Sequence, residues 1–229
     1  MRFRDRADAG RRLAAMTLAY RDGATRVFGL DGGGLRVGLE VALALEAPLD
    51  VWMARGVGSP DQGARAVGAV AEGQGLYLDI EGIRSAEAPA AELARWMDAQ
   101  AGEVALAAQH LRGGHSRLEA AGCTALLVVD GIAAEAGPVF AALRGLRRQG
   151  PRRLVLAAPV ASAEELERLR PEVDEILCCL PIWSLITVAH AYDDFREVSE
   201  LEARQVLARA RQIATTGTEL GTQGSGDWR

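Results

Sequence analysis

Hydrophobic and polar residues follow two kinds of pattern along the chain. In some segments the apolar positions recur four or five residues apart, as Ala9, Leu13 and Leu18 do, which is typical of a helix with one buried face. In others they form short continuous runs, as in buried strands. The predicted helices cover residues 7–20, 35–45, 86–111, 138–148, 163–169 and 199–213. The predicted strands cover residues 25–30, 49–54, 124–129, 153–159 and 175–180, and residues 66–70 and 76–80 are predicted to form a hairpin.

The order of these segments predicts an α/β fold with a doubly wound, Rossmann-like parallel sheet. The run at 124–129 is apolar throughout, as expected of a central strand with both faces buried. The strand at 25–30 leads into Asp31-Gly32-Gly33-Gly34 and then into a helix. A strand, a glycine-rich turn and a helix in series place the turn at the edge of the sheet where ligands bind.

Length and composition indicate one globular domain. The chain has 229 residues, of which 49% are hydrophobic and 25% are charged, and a chain of this length can bury a sizeable core. Residues 57–63 lie in a glycine-rich stretch and are predicted to form a mobile loop. After Ala214 the chain is rich in Thr, Gly, Ser and Gln. We therefore predict one domain over residues 1–213 and a flexible tail over 214–229.

Charge narrows the range of functions. All 26 basic residues are arginine, and lysine and asparagine are absent; GC-rich coding explains this most simply, and it excludes any catalytic lysine. The net charge of −5 argues against nucleic acid or an anionic membrane as a partner. No apolar run could span a membrane or act as a secretory signal. The three cysteines, two of them adjacent in an apolar run, suggest reduced thiols and a cytoplasmic protein. The cysteines and the three histidines lack metal-site spacing, so we expect no metal.

Short motifs between residues 3 and 205 point to a known family. They are Phe3-Arg4-Asp5-Arg6, Asp8-Ala9-Gly10-Arg11, Gly33-Gly34, APLDV at 47–51, AVGAVAEG at 66–73, DGIA at 130–133, LRRQGP at 146–151, Asp194-Phe195-Arg196 and Val198-Ser199. In their order and spacing the chain resembles the type I phosphoribosyltransferase-like family, in particular a bacterial branch of predicted phosphoribosyltransferases. The resemblance implies a parallel sheet of the type I phosphoribosyltransferase kind, a small hood, a C-terminal helix and a homodimer.

The resemblance also implies a site for phosphoribosyl pyrophosphate. In the family, two acids at the end of the central strand hold the ribose hydroxyls, and a loop of small and hydroxyl-bearing residues wraps the 5′-phosphate at a helix N-terminus. A second loop, after the first strand, binds the pyrophosphate, and an active enzyme would use Mg²⁺. The ligand-binding residues implied for this chain are Asp130, Gly131, Ala133, Ala134, Glu135, Ala136, Gly137, Gly33, Gly34 and Arg55.

The loop after the central strand departs from the family pattern. Val129 stands where the first acid is expected, although Asp130 is kept. Ala134 and Gly137 replace threonines, and Glu135 replaces a glycine. A carboxylate about 4 Å from a phosphate costs roughly 1 to 4 kcal/mol per unit charge, depending on the effective dielectric. The loop has therefore lost hydroxyls and gained an acid where an anion should bind.

The loop after the first strand changes in the same direction. Asp31 and Gly32 stand in place of the first two residues of the usual Pro-Arg-Gly-Gly. After the second strand Arg55 is kept, but Gly56 replaces the usual lysine. Coding bias alone would favour arginine over glycine at positions 32 and 56, where the family has a cation. The changes therefore indicate a relaxed or redirected phosphate site.

Each candidate residue also has a plain structural interpretation. Asp130 contacts ribose or caps the turn after its strand, and Gly33-Gly34 allows a phosphate to approach or forms a tight turn. Arg55 contacts an anion or forms a surface ion pair. Glu135 is a general base, a metal ligand or a solvated acid at a helix start. Two further hypotheses are a residual pocket at Ile182 and Trp183, and a partner-binding patch formed by Arg144, Arg147, Arg148, Arg152 and Arg153.

Three functions follow from these observations. The first is a phosphoribosyltransferase-like protein with a degenerate phosphoribosyl pyrophosphate site, which is non-catalytic and binds a protein partner or a ligand. The alternative is an active phosphoribosyltransferase with a variant phosphate loop and an unknown acceptor. The third is a site that now recognises another sugar phosphate.

Overall fold

The computed structural model describes residues 2–58 and 66–221, with side chains described up to residue 212. The predicted loop at 57–63 lies largely outside the described residues. The strands are β1 Thr25–Leu30, β2 Leu49–Trp52, β3 Ala54–Val57, β4 Gly68–Ala71, β5 Gly75–Leu78, β6 Thr124–Val128, β7 Arg153–Ser162 and β8 Glu175–Ile182. The helices are α1 Arg6–Thr17, α2 Asp31–Leu45, α3 Ile80–Ala86, α4 Ala90–Arg112, α5 Gly137–Arg148, α6 Ala163–Leu169 and α7 Glu200–Gly221.

Five strands form a parallel sheet in the order β2-β1-β6-β7-β8, which confirms the predicted fold class. The strand predicted to be central, β6, lies in the middle, and all five of its residues are buried. Helices cover both faces of the sheet. One core packs β-strands against α1, α2, α4 and α7, with Leu13, Leu39 and Leu207 among its members. The other packs them against α5 and α6, with Leu143 and Leu166.

A small antiparallel sheet, β3-β4-β5, forms the predicted hood, and β4 and β5 are the hairpin predicted at residues 66–80. The predicted strand at 49–54 is in fact two strands, because the chain leaves the main sheet at Met53 and enters the small one. Glu72 holds this break from across the small sheet. Its Oε2 accepts a hydrogen bond from the Met53 amide at 2.9 Å, and its own amide donates to the Met53 carbonyl at 3.0 Å.

The prediction of a glycine-rich turn at 31–34 was wrong, because these residues form the first turn of α2. The predicted helix at 86–111 corresponds to α4, which begins later, at Ala90, because Glu87 adopts a left-handed φ of 49° that ends the preceding helix, α3. Helix α3 was not predicted. The C-terminal helix α7 continues to Gly221, so the predicted start of the tail at 214 falls within a helix, and residues 222–229 lie outside the described residues. No helix in the described part of the chain is long and apolar enough to cross a membrane.

Candidate functional site

Asp130 follows the central strand β6 at the carboxyl edge of the parallel sheet. Its Oδ2 accepts a hydrogen bond from Nε of Arg6 at 2.8 Å, and the Asp130 and Arg6 side chains are only 24% and 11% exposed. Burial raises the pKa of Asp130, and the Arg6 guanidinium opposes that rise. The Tyr192 hydroxyl donates to the Asp130 backbone carbonyl at 2.5 Å. The carboxylate expected to contact ribose is therefore already engaged within the protein.

Arg6 reaches Asp130 because the two ends of the domain are paired. Three backbone hydrogen bonds of 2.8 Å join residues 3–4 to residues 191–194. The guanidinium carbon of Arg6 lies 3.9 Å from the centre of the Phe195 ring, and Nη1 donates to the Arg196 carbonyl at 2.7 Å. Both segments carry motifs of the resemblance, but Arg6 was not predicted as a site residue. The only sequence signal for Arg6 was that both segments carry a motif of the family, Phe3-Arg4-Asp5-Arg6 in one and Asp194-Phe195-Arg196 in the other.

Gly33 and Gly34 pack directly against the end of β6. A Cβ atom on Gly33 would lie 2.1 Å from Oδ2 of Asp130, and one on Gly34 would lie 2.4 Å from the Val128 carbonyl oxygen. A side chain at position 34 would displace the backbone at the end of the strand, and one at position 33 would displace the Asp130 carboxylate. The sequence analysis considered phosphate approach and a tight turn for these glycines, and it did not include this close packing of α2 on β6. Phosphate binding by these glycines stays a prediction.

Asp31 links the start of α2 to the small sheet. Its Oδ2 lies 2.7 Å from Nη1 of Arg55, and its Oδ1 accepts a hydrogen bond from the Ala54 amide at 3.3 Å. Burial raises the pKa of Asp31 to about 6, with the charge of Asp130 adding to the rise and Arg55 opposing it. Arg55 thus forms the ion pair that was one of its two interpretations.

The loop after Asp130 is tied to the neighbouring strand β7. The Ile132 amide donates to the Val160 carbonyl at 3.0 Å, and the Ile132 carbonyl accepts from the Ser162 amide at 2.7 Å. A Cβ atom on Gly131 would lie 2.4 Å from a methyl group of Val188, so apolar side chains fill the space above Gly131. The first half of the loop is therefore held rigidly.

The second half of the loop is more open. Ala133 is half-buried and Ala134 is exposed, while Ala136 is buried and caps α5 without a side-chain hydrogen bond. Glu135 is exposed and adopts a φ of 72°. This left-handed conformation favours glycine, which is the residue that the family pattern has here. Helix α5 then begins at Gly137.

Comparison with known proteins shows what this chain is similar to. Two Mycobacterium tuberculosis proteins, from strains CDC 1551 / Oshkosh and H37Rv and each named "putative phosphoribosyl transferase", are 34% identical to this chain over 216 residues. The match covers 94% of the chain and 48% of each relative, so the chain spans about half the length of the curated relatives it matches. The crystal structure of TT1426 from Thermus thermophilus is 35% identical, with a TM-score of 0.76, covering 91% of this chain and 99% of that one.

The chain belongs to the type I phosphoribosyltransferase family. No family model matches it. In this family member the carboxyl edge of the sheet brings together four of the candidate residues, Asp130, Gly33, Gly34 and Arg55, with Arg6 and Asp31 beside them. A role for the candidate residues in ligand binding stays a prediction. Among the described residues, the Glu135 side chain has no hydrogen bond or ion pair.

The acids of this site do not fit a Mg²⁺ ion as they stand. Mg²⁺ is held through one or two carboxylates together with substrate phosphates, whereas Asp31 and Asp130 each pair with an arginine. Within residues 2–58 and 66–212 no group of three His, Cys, Asp or Glu side chains could hold a metal ion.

Two other sequence-based hypotheses have structural outcomes. Trp183, at the predicted residual pocket, is 77% exposed. Four of the five arginines of the predicted patch pair with carboxylates, so among the described residues only Arg148, which contacts a neutral amide, keeps an unneutralised charge. The partners are Glu172 for Arg144, Asp174 for Arg147, Gln74 for Arg148, Asp22 for Arg152 and Glu175 for Arg153.

Proposed function

We propose that this member of the phosphoribosyltransferase family does not transfer a phosphoribosyl group and acts by binding a protein partner or a small ligand. The backbone at Asp31 carries the proposal, since its φ is 51°. The usual family loop has proline at this position, and proline holds φ near −65°. The loop of this chain therefore follows a path that the usual Pro-Arg-Gly-Gly loop cannot follow.

The charges at the same edge support this proposal. Arg55 is neutralised by Asp31, and Asp130 is neutralised by Arg6. The loop that would meet the 5′-phosphate offers no hydroxyl between Ala133 and Gly137, and it carries the acid Glu135. A pyrophosphate and a phosphate bound here would meet fewer cations and more acids than the family pattern supplies.

Calorimetric titration of the protein with phosphoribosyl pyrophosphate and Mg²⁺ tests the proposal. We expect no binding heat at millimolar ligand. Micromolar binding that disappears in Asp130→Ala would contradict a degraded site, because that variant removes only the carboxylate that the family uses. A matched Asp193→Ala variant, which removes an exposed acid outside the edge, serves as the control.

The alternative is an active enzyme with a variant loop and an unknown acceptor. It is favoured by the presence of Asp130, Arg6 and Arg55 at one edge, since a ligand could take over each arginine from its carboxylate. Release of pyrophosphate from phosphoribosyl pyrophosphate, with any acceptor and dependent on Asp130, would establish this alternative and overturn the proposal.

The family resemblance supports a homodimer, and the cysteine pattern supports a cytoplasmic protein. The net charge of −5 argues against nucleic-acid and membrane partners. Light scattering after gel filtration measures the molar mass in solution and therefore the oligomeric state. A mass of about twice 24.3 kDa is expected, and a mass that stays near 24.3 kDa would exclude the homodimer.

A further inference from the structure

A cavity lies at the amino edge of the parallel sheet, which is the edge opposite to Asp130. It has a volume of about 360 Å³, and it is lined by the first residues of β1 and β2, by residues 116–119 and by α7. All five strands run in the same direction, so this amino edge is separated from the carboxyl edge by the length of the strands, about 17 Å for β6. The cavity is thus distinct from the family site.

Three arginines, Arg26, Arg117 and Arg211, line the cavity and outnumber its two acids. Within the described part of the chain, no acid lies within ion-pair distance of Arg26 or Arg117. Arg26 donates only to the backbone carbonyl of Glu119, and Arg117 donates to Oε1 of Gln149 at 2.7 Å. The guanidinium carbon of Arg117 also lies 5.4 Å from the centre of the Trp52 ring. Arginines elsewhere in the chain commonly pair with carboxylates, so two arginines without an acidic partner in the lining of one cavity stand out.

The wall of the cavity is rigid because Asp50 belongs to a buried ionic network. Arg112 donates from Nε to Oδ2 of Asp50 at 2.9 Å and from Nη1 to Oε1 of Glu72 at 2.6 Å, and all three side chains are less than a tenth exposed. The Leu118 amide donates to Oδ2 of Asp50 at 2.9 Å, which fixes the segment that carries Arg117. Asp50 and Glu72 share the single charge of Arg112, so this network of two acids and one arginine remains negative. The oxygens of Asp50 are engaged by Arg112 and the Leu118 amide, and they form no ion pair with Arg26 or Arg117.

The cavity also has an apolar part. Pro48, Leu49, Leu118 and Ala210 line it beside the arginines. A site of about this volume with a few polar groups and apolar walls is typical of small-molecule sites. Two guanidinium groups match a doubly charged anion, and a phosphate monoester carries close to two charges at neutral pH.

We propose that this cavity binds a phosphate monoester whose body is apolar or planar, with Arg26 and Arg117 holding the phosphate and the apolar wall holding the body. The proposal is independent of the proposed function of the carboxyl edge. Phenyl phosphate is the probe, because it combines a dianion with a planar apolar ring. Inorganic phosphate, which lacks the ring, is expected to bind more weakly.

Calorimetry at pH 7.5 with phenyl phosphate measures the affinity of the wild type and of Arg26→Gln and Arg117→Gln. The expected Kd of the wild type is below about 1 mM, and each variant should weaken binding about tenfold, the loss of one charge-assisted contact. Arg209→Gln, an exposed arginine on the same helix as Arg211 but outside the cavity, should bind like the wild type.

Ser116→Trp provides a second test that does not depend on the arginines. Ser116 is exposed and lines the cavity, so a bulky side chain there should block the ligand without unfolding the protein. Equal affinity in the wild type, Arg26→Gln and Ser116→Trp would overturn the proposal, as would no binding to the wild type at millimolar probe. Loss of binding in Arg55→Gln alone would place the anion at the carboxyl edge and would also overturn it.

Discussion

Arg6 and Asp130 are 124 residues apart in the sequence, yet they form a 2.8 Å ion pair at the carboxyl edge of the sheet. Arg6 begins the first helix, and Asp130 follows the central strand. The pair therefore joins the N-terminal segment to the carboxylate for which the family resemblance predicts a ribose contact. It also connects the stability of the domain to the state of its candidate site.

Removal of Arg6 should destabilise the domain. The Arg6→Ala variant leaves the largely buried Asp130 carboxylate without its cation, and we expect a loss of about 1–3 kcal/mol in the free energy of unfolding. Urea denaturation at pH 7.5 measures this loss. Adding Asp130→Asn to Arg6→Ala should restore part of it, because the uncompensated charge is then absent. Additive losses in the double variant would show that the two side chains are not coupled.

The raised pKa of Asp31 predicts a pH dependence of stability. An exposed aspartate has a pKa of about 3.9, whereas burial raises that of Asp31 to about 6 in the folded protein. The folded state holds this proton more tightly, so the contribution of Asp31 to stability falls as the pH rises from about 4 to about 6 and is constant above that. Because the side chain is about a third exposed to solvent, we expect a change of about 1–2 kcal/mol.

The Asp31→Asn variant isolates this contribution. As the pH rises from about 4 to about 6, the free energy of unfolding of the wild type should fall relative to that of the variant, which has no titrating group at this position. Asp22→Asn is a control of opposite sign, because hydrogen bonds from the Ala24 amide and Thr25 lower the pKa of Asp22. The contribution of Asp22 to stability is therefore lost as the pH falls below about 4 and changes little between pH 4 and pH 6. A difference for Asp31→Asn that does not change with pH would show that its pKa is normal.

The main sheet could be predicted because each strand is specified by its own residues. The continuous apolar run of β6 and the bounds of β1 and α6 follow from local patterns. The break after β2 could not be predicted, since it depends on a hydrogen bond between the Met53 amide and the Glu72 carboxylate. A periodic pattern contains no information about such a distant partner.

The candidate site divides in the same way. The motif around Asp130 and the pair Gly33-Gly34 are visible in the sequence, and the structure brings them into contact. The left-handed backbone of Asp31 could not be predicted, because it is accompanied by contacts to Ala54 and Arg55 in another sheet. Arg6 was missed for the same reason, as its partner is remote in the sequence.

Replacement of Glu135 by glycine should stabilise the protein. Its φ of 72° costs a residue with a side chain about 1 kcal/mol or more, and glycine adopts this conformation without strain. We expect Glu135→Gly to raise the free energy of unfolding by about 0.5–1 kcal/mol. Glu135→Ala removes the charge but keeps the Cβ atom, so it should leave stability nearly unchanged. An equal gain in both variants would assign the effect to charge.

The buried network around Arg112 should tolerate little change. Arg112→Met leaves Asp50 and Glu72 as two uncompensated buried carboxylates, and we expect a loss of about 3–5 kcal/mol. Arg112→Lys should cost nearly as much, because an ammonium group cannot reproduce the fork that bonds both acids and the Val51 carbonyl. Thermal or urea denaturation measures both. Arg95→Lys, in an exposed pair, should stay within about 0.5 kcal/mol of the wild type.

Two glycines in helices should respond to alanine with opposite signs. Both gain about 1 kcal/mol of helix propensity. A Cβ atom on Gly145 in α5, however, would lie 2.1 Å from the Glu72 carbonyl oxygen, whereas one on Gly102 in α4 would meet no atom within 4 Å. The hairpin that holds Glu72 cannot retreat without breaking the hydrogen bonds between Glu72 and Met53. We therefore expect Gly102→Ala to stabilise the protein by up to about 1 kcal/mol and Gly145→Ala to destabilise it by about 2–3 kcal/mol. A stabilised Gly145→Ala in urea denaturation would mean that α5 and the small sheet can move apart at little cost.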